Sequence, residues 1–280
     1  NRFVIVDLLL ENRDSVPKYF SQITLRDDLK RVYQLDWRGT PISSDSLLRP
    51  LVKILNPHMI SRGAVVFQVP ENGSGYKLAV DTLSSGEGSI FVDLGSVPRD
   101  LGNSSDLQGL YPKGVLYPDA HKIGEIIEQG NLAFSVLGWG EPIGKDPNEG
   151  MKFLYVDIIL TNKGSQTEDQ NTPALAPKMQ DSRGFVYDDI EAMPYYVGDL
   201  DAFKKGFSPG ESERDPILFE VPDDERAYYL IMDPNWLFKE GTAGDPIIVS
   251  LGSKPSSLNP MDFDIRINGA LNPDIGEGYL

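Results

Sequence analysis

The stretch "FVIVDLLLEN", residues 3–12, returns in the middle of the chain as "FLYVDIILTN", residues 153–162. Five of the ten positions are identical: Phe3/Phe153, Val6/Val156, Asp7/Asp157, Leu10/Leu160 and Asn12/Asn162. The other apolar positions stay apolar. A short run rich in Val, Ile, Leu and aromatic residues, closed by Asn, reads as a β-strand. The similarity continues downstream. "VVFQVPENGSGYKLAVD" (65–81) aligns without gaps to "ILFEVPDDERAYYLIMD" (217–233), so that Phe67/Phe219, Val69/Val221, Pro70/Pro222, Tyr76/Tyr228 and Leu78/Leu230 coincide. "SIFVDLG" (89–95) matches "PIIVSLG" (246–252), and "LRDDLKRVYQLD" (25–36) matches "MQDSRGFVYDDI" (179–190) around Asp27/Asp181 and Tyr33/Tyr187. The offset drifts only by short loop insertions. A repeat this long is a whole domain and not a solenoid unit of about 20–50 residues.

Each repeated block is a strand bounded by Gly, Pro, Asn or Asp. Pro222 fixes φ and has no N–H to donate, so the strand before it stops there. "SPGESERDPILFEVP" (208–222) sets a Pro-Gly turn before the next strand. Many short strands separated by turn signals predict an all-β chain: two tandem immunoglobulin-like β-sandwiches and a C-terminal tail that carries a strand. The expected boundaries are 1–95 for the first sandwich, 96–122 for a connector, 123–252 for the second sandwich, and 253–280 for linker and tail strand. Helix is confined to one or two turns, with "DSLLRPLVKIL" (45–55) and "DLDAFKKGF" (199–207) as candidates.

The pattern resembles a known family. A strand ending V-D-hydrophobic-N (from Val156-Asp157 to Asn162), a D-x-x-G-x-x-Y strand (Asp181, Gly184, Tyr187), a P-G turn (Pro209-Gly210) and F-x-V-P (Phe219 to Pro222) are similar to the telokin-like, immunoglobulin-type secreted domains. That family is a domain of unknown function in archaea and Gram-positive bacteria, related to the immunoprotective-antigen fold. "IGEIIEQGNLAFSVLGWGEPIG" (123–144) looks like its opening, with first strand "LAFSVLGW". The resemblance covers residues 123–252 fully and 3–95 in most part. It implies an extracellular sandwich and no enzymatic activity.

Bulk composition narrows function further. The chain has 280 residues, a net charge of −16 and a sequence pI near 4.5. Such a charge repels phosphate backbones and argues against nucleic acid as partner. With no cysteine, disulfides and thiolate catalysis are excluded. No apolar run approaches the ~18 residues of a membrane span. Asn1-Arg2 leads straight into a strand, so an exported protein would be represented by a mature or trimmed chain.

The second repeat has about 20 residues of leading strand before Phe153, whereas only Asn1 and Arg2 precede Phe3. The first sandwich is therefore expected to lack its own first strand, exposing a sheet edge. An upstream segment, the connector, or the tail "MDFDIRINGALNPDIGEGYL" (261–280) could fill that place. In the tail, Phe263, Ile265 and Ile267 alternate with Asp264, Arg266 and Asn268, the pattern of a half-buried strand. Inserted into a neighbouring molecule, that strand would make a homo-polymer by donor-strand complementation. Packed on its own second sandwich, it would not.

Sites for chemistry are sparse. His58 and His121 are the only histidines, and nothing stands beside them at metal-ligand or triad spacing. "GSGYK" (73–77) and "GEGS" (86–89) lack the strand-loop-helix setting of a phosphate loop. Asp188, Asp189 and Glu191 are the best cluster for a divalent cation such as Ca²⁺, against the ordinary alternative of solvated turn acids. Trp37, Trp139 and Trp236, with Tyr195, Tyr196, Tyr228 and Tyr229, could stack on a glycan. Core packing is the competing role for the tyrosines, and Trp236 stands out as a partner contact. Asn72 and Asn103 begin glycosylation triplets. The sequence thus points to a non-catalytic cell-surface structural protein, a filament or surface-layer subunit held by strand exchange. The alternative is a secreted or anchored module that binds a protein, glycan or divalent cation.

Overall fold

The computed structural model describes residues 1–16, 18–35, 54–82, 89–95, 116–144, 147, 150–165, 177–188, 208–224, 226–232, 246–256 and 266–267. Contacts gather the chain into two compact units, Asn1–Leu116 with Arg183–Val186, and Tyr117–Ser182 with Tyr187–Leu280. Both are β-sandwiches, and the described residues contain no helix.

In the first unit, β1 (Arg2–Glu11) pairs antiparallel with β5 (Ile60–Val69). The facing sheet runs β3 (Val32–Gln34), β2 (Lys18–Arg26), β6 (Tyr76–Thr82), β7 (Ile90–Gly95), and β4 (Ile54–Leu55) adds to β2. Ile54 and Leu55 were expected at the end of a helical segment. Their backbones instead pair with Tyr19 and Lys18, because sheet hydrogen bonds to a neighbouring strand override a weak local propensity. Residues 45–53 and 199–207, the other helix candidates, lie outside the described residues. The core forms where alternate side chains of the two sheets meet. Val4, Val6, Val65, Phe67 and Val69 pack against Ile23, Leu25, Tyr76, Leu78 and Val80.

The second unit opens with β8 (His121–Lys122), β9 (Ile127–Gln129), β10 (Leu132–Gly140) and β11 (Ile143–Gly144). Then follow β12 (Met151–Asn162), β13 (Lys178–Asp181), β14 (Val186–Asp188), β15 (Ser212–Pro222), β16 (Tyr228–Met232), β17 (Ile247–Gly252) and β18 (Arg266–Ile267). One sheet is ordered β15-β12-β10-β9 and the other β14-β13-β16-β17-β8. The leading segment thus feeds both sheets. β8 lies parallel to β17, and β10 lies antiparallel to β12. Pairing begins at His121, two residues ahead of the boundary expected from sequence.

The repeated residues occupy matching registers. Phe3 faces Gln68 and Glu11 faces Ile60, as Phe153 faces Glu220 and Thr161 faces Ser212. Leu25 faces Leu78 and Leu78 faces Val92, as Met179 faces Leu230 and Leu230 faces Val249. The shared Asn closes each strand in the same way. Asn12 Oδ1 accepts from the Asp14 N–H at 3.1 Å, and Asn162 Oδ1 accepts from the Gly164 N–H at 2.8 Å, an Asx turn in both places.

The register shifts once between Tyr76 and Lys77 and once between Tyr228 and Tyr229. The residue next to each bulge is a glycine with positive φ, Gly95 at 80° and Gly252 at 75°. A Cβ at Gly252 would meet nothing within 4 Å. Gly252→Ala is therefore expected to cost about 1 kcal/mol from backbone strain alone, read as a lower urea midpoint with an unchanged slope. Gly252→Asn should cost less, since Asn tolerates the left-handed region.

Candidate interaction groove of the first unit

The matched strands β12 and β1 have different neighbours. β12 is flanked by β15 and β10. β1 is flanked by β5, and among the described residues no strand lies along its other side. The facing sheets differ likewise. β17 continues to β8, whereas β7 ends its sheet among the described residues.

Exposure follows. Ile247 and Val249 are 6% and 0% exposed, and their counterparts Ile90 and Val92 are 54% and 43% exposed. Phe153 is 8% exposed and its counterpart Phe3 is 58%. Inward-facing side chains of β7 that should be core are uncovered, and β1 offers its edge beside them. Ile5 and Leu9 extend the exposed apolar stripe of β1. A row of free backbone groups beside uncovered apolar residues is the arrangement that receives an extended peptide. Main-chain hydrogen bonds hold such a peptide, and alternate side chains fill the apolar floor.

β10 shows what such a seat holds. Its residues Phe134, Val136 and Trp139 are buried. Trp139 Nε1 donates to the Leu251 carbonyl at 2.8 Å, and its ring meets Tyr228 edge-on at 5.8 Å. The first unit keeps the matching parts of this seat, Leu94 and Tyr76, beside Gly95.

The aspartates within β1 and β12 each meet an arginine of the neighbouring strand. Asp7 on β1 receives Arg62 from β5, with Nε to Oδ1 at 2.9 Å, and Asp157 on β12 receives Arg214 from β15, with Nη2 to Oδ2 at 2.8 Å. Both are diagonal cross-strand pairs at matched positions. Burial pushes the Asp157 carboxyl up, against the lowering by Arg214.

In each unit a tyrosine six residues on donates to a buried aspartate. Tyr33 reaches Asp27 at 2.7 Å and Tyr187 reaches Asp181 at 2.8 Å. The arginine comes from different places, Arg31 in the first unit and Arg226 in the second. Burial, then the bond to Asp27, pushes the Tyr33 hydroxyl up to about 12. Burial raises the Asp27 carboxyl, but bonds from Tyr33, the Arg31 N–H and the Arg31 guanidinium outweigh it and hold the carboxyl below its ordinary range. A depressed carboxyl contributes stability that is complete above its unfolded pKa of about 4 and is lost as pH falls through the folded value. The stability difference between the native chain and Asp27→Asn should therefore shrink between about pH 5 and pH 2, followed by circular dichroism in urea at each pH.

The other residues singled out by sequence are not drawn into one site. Asp188 ends β14, and Asp189 and Glu191 lie outside the described residues. Among the described residues no group of three His, Cys, Asp or Glu side chains could hold a metal ion. His58 sits in an exposed turn with φ 58°. His121 Nδ1 lies 3.1 Å from Glu125 Oε2, and that bond, reinforced by the Lys122 N–H, lowers the Glu125 carboxyl. Asn72 is in an exposed turn where Arg31 Nη1 donates to its Oδ1 at 3.5 Å. Asn103, Trp37, Trp236, Tyr195 and Tyr196 lie outside the described residues. Trp139, Tyr228 and Tyr229 are core and not a stacking platform. Of the tail, Ile267 pairs with Gly144 in a two-residue parallel ladder, while Phe263 and Ile265 lie outside the described residues.

Sequence reading missed Arg62, Arg214 and Arg226 as partners of the shared aspartates. It also missed the uncovered floor of β7, because the match of Ile90 and Val92 to the buried Ile247 and Val249 reads as core. No helix among the described residues is long and apolar enough to cross a membrane.

Comparison with known proteins is silent on activity. The family described as Domain of unknown function (DUF4352) matches residues 121–243, most of the second unit. No curated protein matches. Among solved structures, an uncharacterized beta-sandwich protein from Clostridium difficile 630 is 13% identical, with a TM-score of 0.32, over 47% of this chain and 94% of that one. A conserved hypothetical protein from Bacillus anthracis is 16% identical, with a TM-score of 0.32, over 45% of this chain and 94% of that one.

Proposed function

We propose that this chain is a non-catalytic structural protein of the cell surface, built from two tandem copies of one immunoglobulin-type sandwich and assembled by strand addition between copies. The observation that carries the reading is the edge of β1, unpartnered among the described residues, with Ile90 and Val92 uncovered, where the second unit has β10. The matching registers support the tandem-copy reading. The strongly acidic composition is compatible with a surface-exposed life. The occupant is an extended segment of a second copy, because the sequence alternates apolar and polar residues through "FDIRIN" (263–268).

Charged side chains on a sheet edge oppose strand addition. The double variant Ile5→Glu, Leu9→Glu places them on exposed positions, where they also repel the acidic tail residues Asp262 and Asp264, so its fold should persist. The expected result is a single-chain mass where the native chain forms larger species, measured by light scattering. An unchanged assembly would overturn the use of this edge. A native chain that is monomeric at every concentration, yet binds a foreign protein or glycan through the groove, would favour a secreted or anchored binding module instead.

A further inference from the structure

We infer that the groove takes residues 261–265 of a neighbouring copy in one register, with Phe263 opposite Leu10 and Ile265 opposite Leu8. This rests on the strand-addition reading above and deepens it.

Two observations fix the register. First, β10 begins "LAFSV" (132–136) and the tail begins "MDFDI" (261–265). Both place an apolar residue, then Phe, then a β-branched residue on one face, with small or polar residues between. Phe263 therefore stands for Phe134, and Ile265 for Val136. Second, β10 has a defined pairing: Phe134 faces Leu160, Ser135 faces Ile159 and Val136 faces Ile158. Leu160, Ile159 and Ile158 match Leu10, Leu9 and Leu8 on β1. Substituting the tail for β10 places Asp264 opposite Leu9, which is 48% exposed. A one-residue slip would turn Asp262 and Asp264 onto the apolar floor, so the alternation selects this pairing over its neighbours.

The tail follows the eight-residue Ser- and Pro-rich segment "SKPSSLNP" (253–260). Among the described residues the tail's only pairing is Arg266–Ile267 with Ile143–Gly144. Transfer to a neighbour gives up that two-residue ladder for a longer antiparallel one.

Because the chain has no cysteine, disulfide trapping reads the register directly. Residues directly opposite in an antiparallel pair have Cα atoms about 4.5–5.5 Å apart, within disulfide reach, whereas diagonal neighbours lie about 7–8 Å apart. Single variants Leu9→Cys and Asp264→Cys, mixed and oxidised, should give a species of twice the chain mass on a non-reducing gel. That species should be lost when Asp262→Cys replaces Asp264→Cys. Both positions with Leu9 are tested on chains whose circular dichroism matches the native protein.

A bond through Asp262→Cys instead, or no bond in chains that still assemble and still need residues 261–280 to do so, would overturn the register and leave strand addition standing. A doubly substituted chain that closes only within itself would overturn the neighbouring copy as donor. Chains that never assemble would overturn both readings.

Discussion

Trp139→Ala should destabilise the second unit by about 3–5 kcal/mol, the range for emptying a buried aromatic site. That is a large part of the roughly 5–15 kcal/mol that holds a domain folded. The indole is 1% exposed and ties the two sheets of the unit together, since it stands on β10 and donates to the Leu251 carbonyl on β17. Its backbone N–H also donates to Ser256 Oγ at 2.9 Å, beyond the end of β17. Trp139→Phe keeps most of the apolar contact with Tyr228 but leaves the Leu251 carbonyl without its donor. Its cost should be about 1–3 kcal/mol. Urea unfolding of the two variants separates packing from hydrogen bonding. Equal losses would mean that the Nε1 bond, not the ring, holds β10 in place.

The second large effect concerns Arg226 and Asp181, whose side chains are 1% and 0% exposed. Arg226 Nη1 donates to Asp181 Oδ2 and, at 3.0 Å, to the Tyr187 hydroxyl, which itself donates to Asp181. Burial works against the guanidinium's charge, but Asp224, Tyr187 and Asp181 more than offset it and raise its pKa. Removing one partner strands a buried charge. Arg226→Met or Asp181→Leu alone should each cost about 3–5 kcal/mol. The triple variant Arg226→Met, Asp181→Leu, Tyr187→Phe removes the fully buried polar members together, leaving Asp224, which is 37% exposed, to solvent, and should recover most of that loss. Additive losses across the three would mean that the network contributes net stability, not only charge compensation.

Much of this fold was legible in the sequence, and the reasons are particular. The match of residues 3–12 to 153–162 located β1 and β12 because both are long, apolar and closed by an Asn whose side chain caps the strand end. The expectation of an incomplete first sandwich came from counting residues ahead of Phe3; among the described residues β1 pairs with β5.

Other features lay beyond reach. Arg62 and Arg214 meet their aspartates diagonally across a strand pair, 55 and 57 residues away in sequence, a separation that no local pattern reports. β8 is two residues long, too short for any periodicity, so its pairing with β17 was invisible. "FVIVDLLLEN" is apolar on both faces, so alternation could not tell that Val4 and Val6 turn inward while Phe3 and Ile5 stay exposed. The floor of the groove was hidden for the same reason. "SIFVDLG" reads as a buried strand, and only the absence of a neighbouring strand among the described residues makes it a surface.

The most direct test of strand addition is the solution mass of the 280-residue chain beside a chain lacking residues 261–280, by light scattering across a concentration series. The account requires species of two or more 31.0 kDa copies for the full chain and single copies for the shortened one. A full chain that stays a single copy throughout, or a shortened chain that assembles as well as the full one, would contradict it.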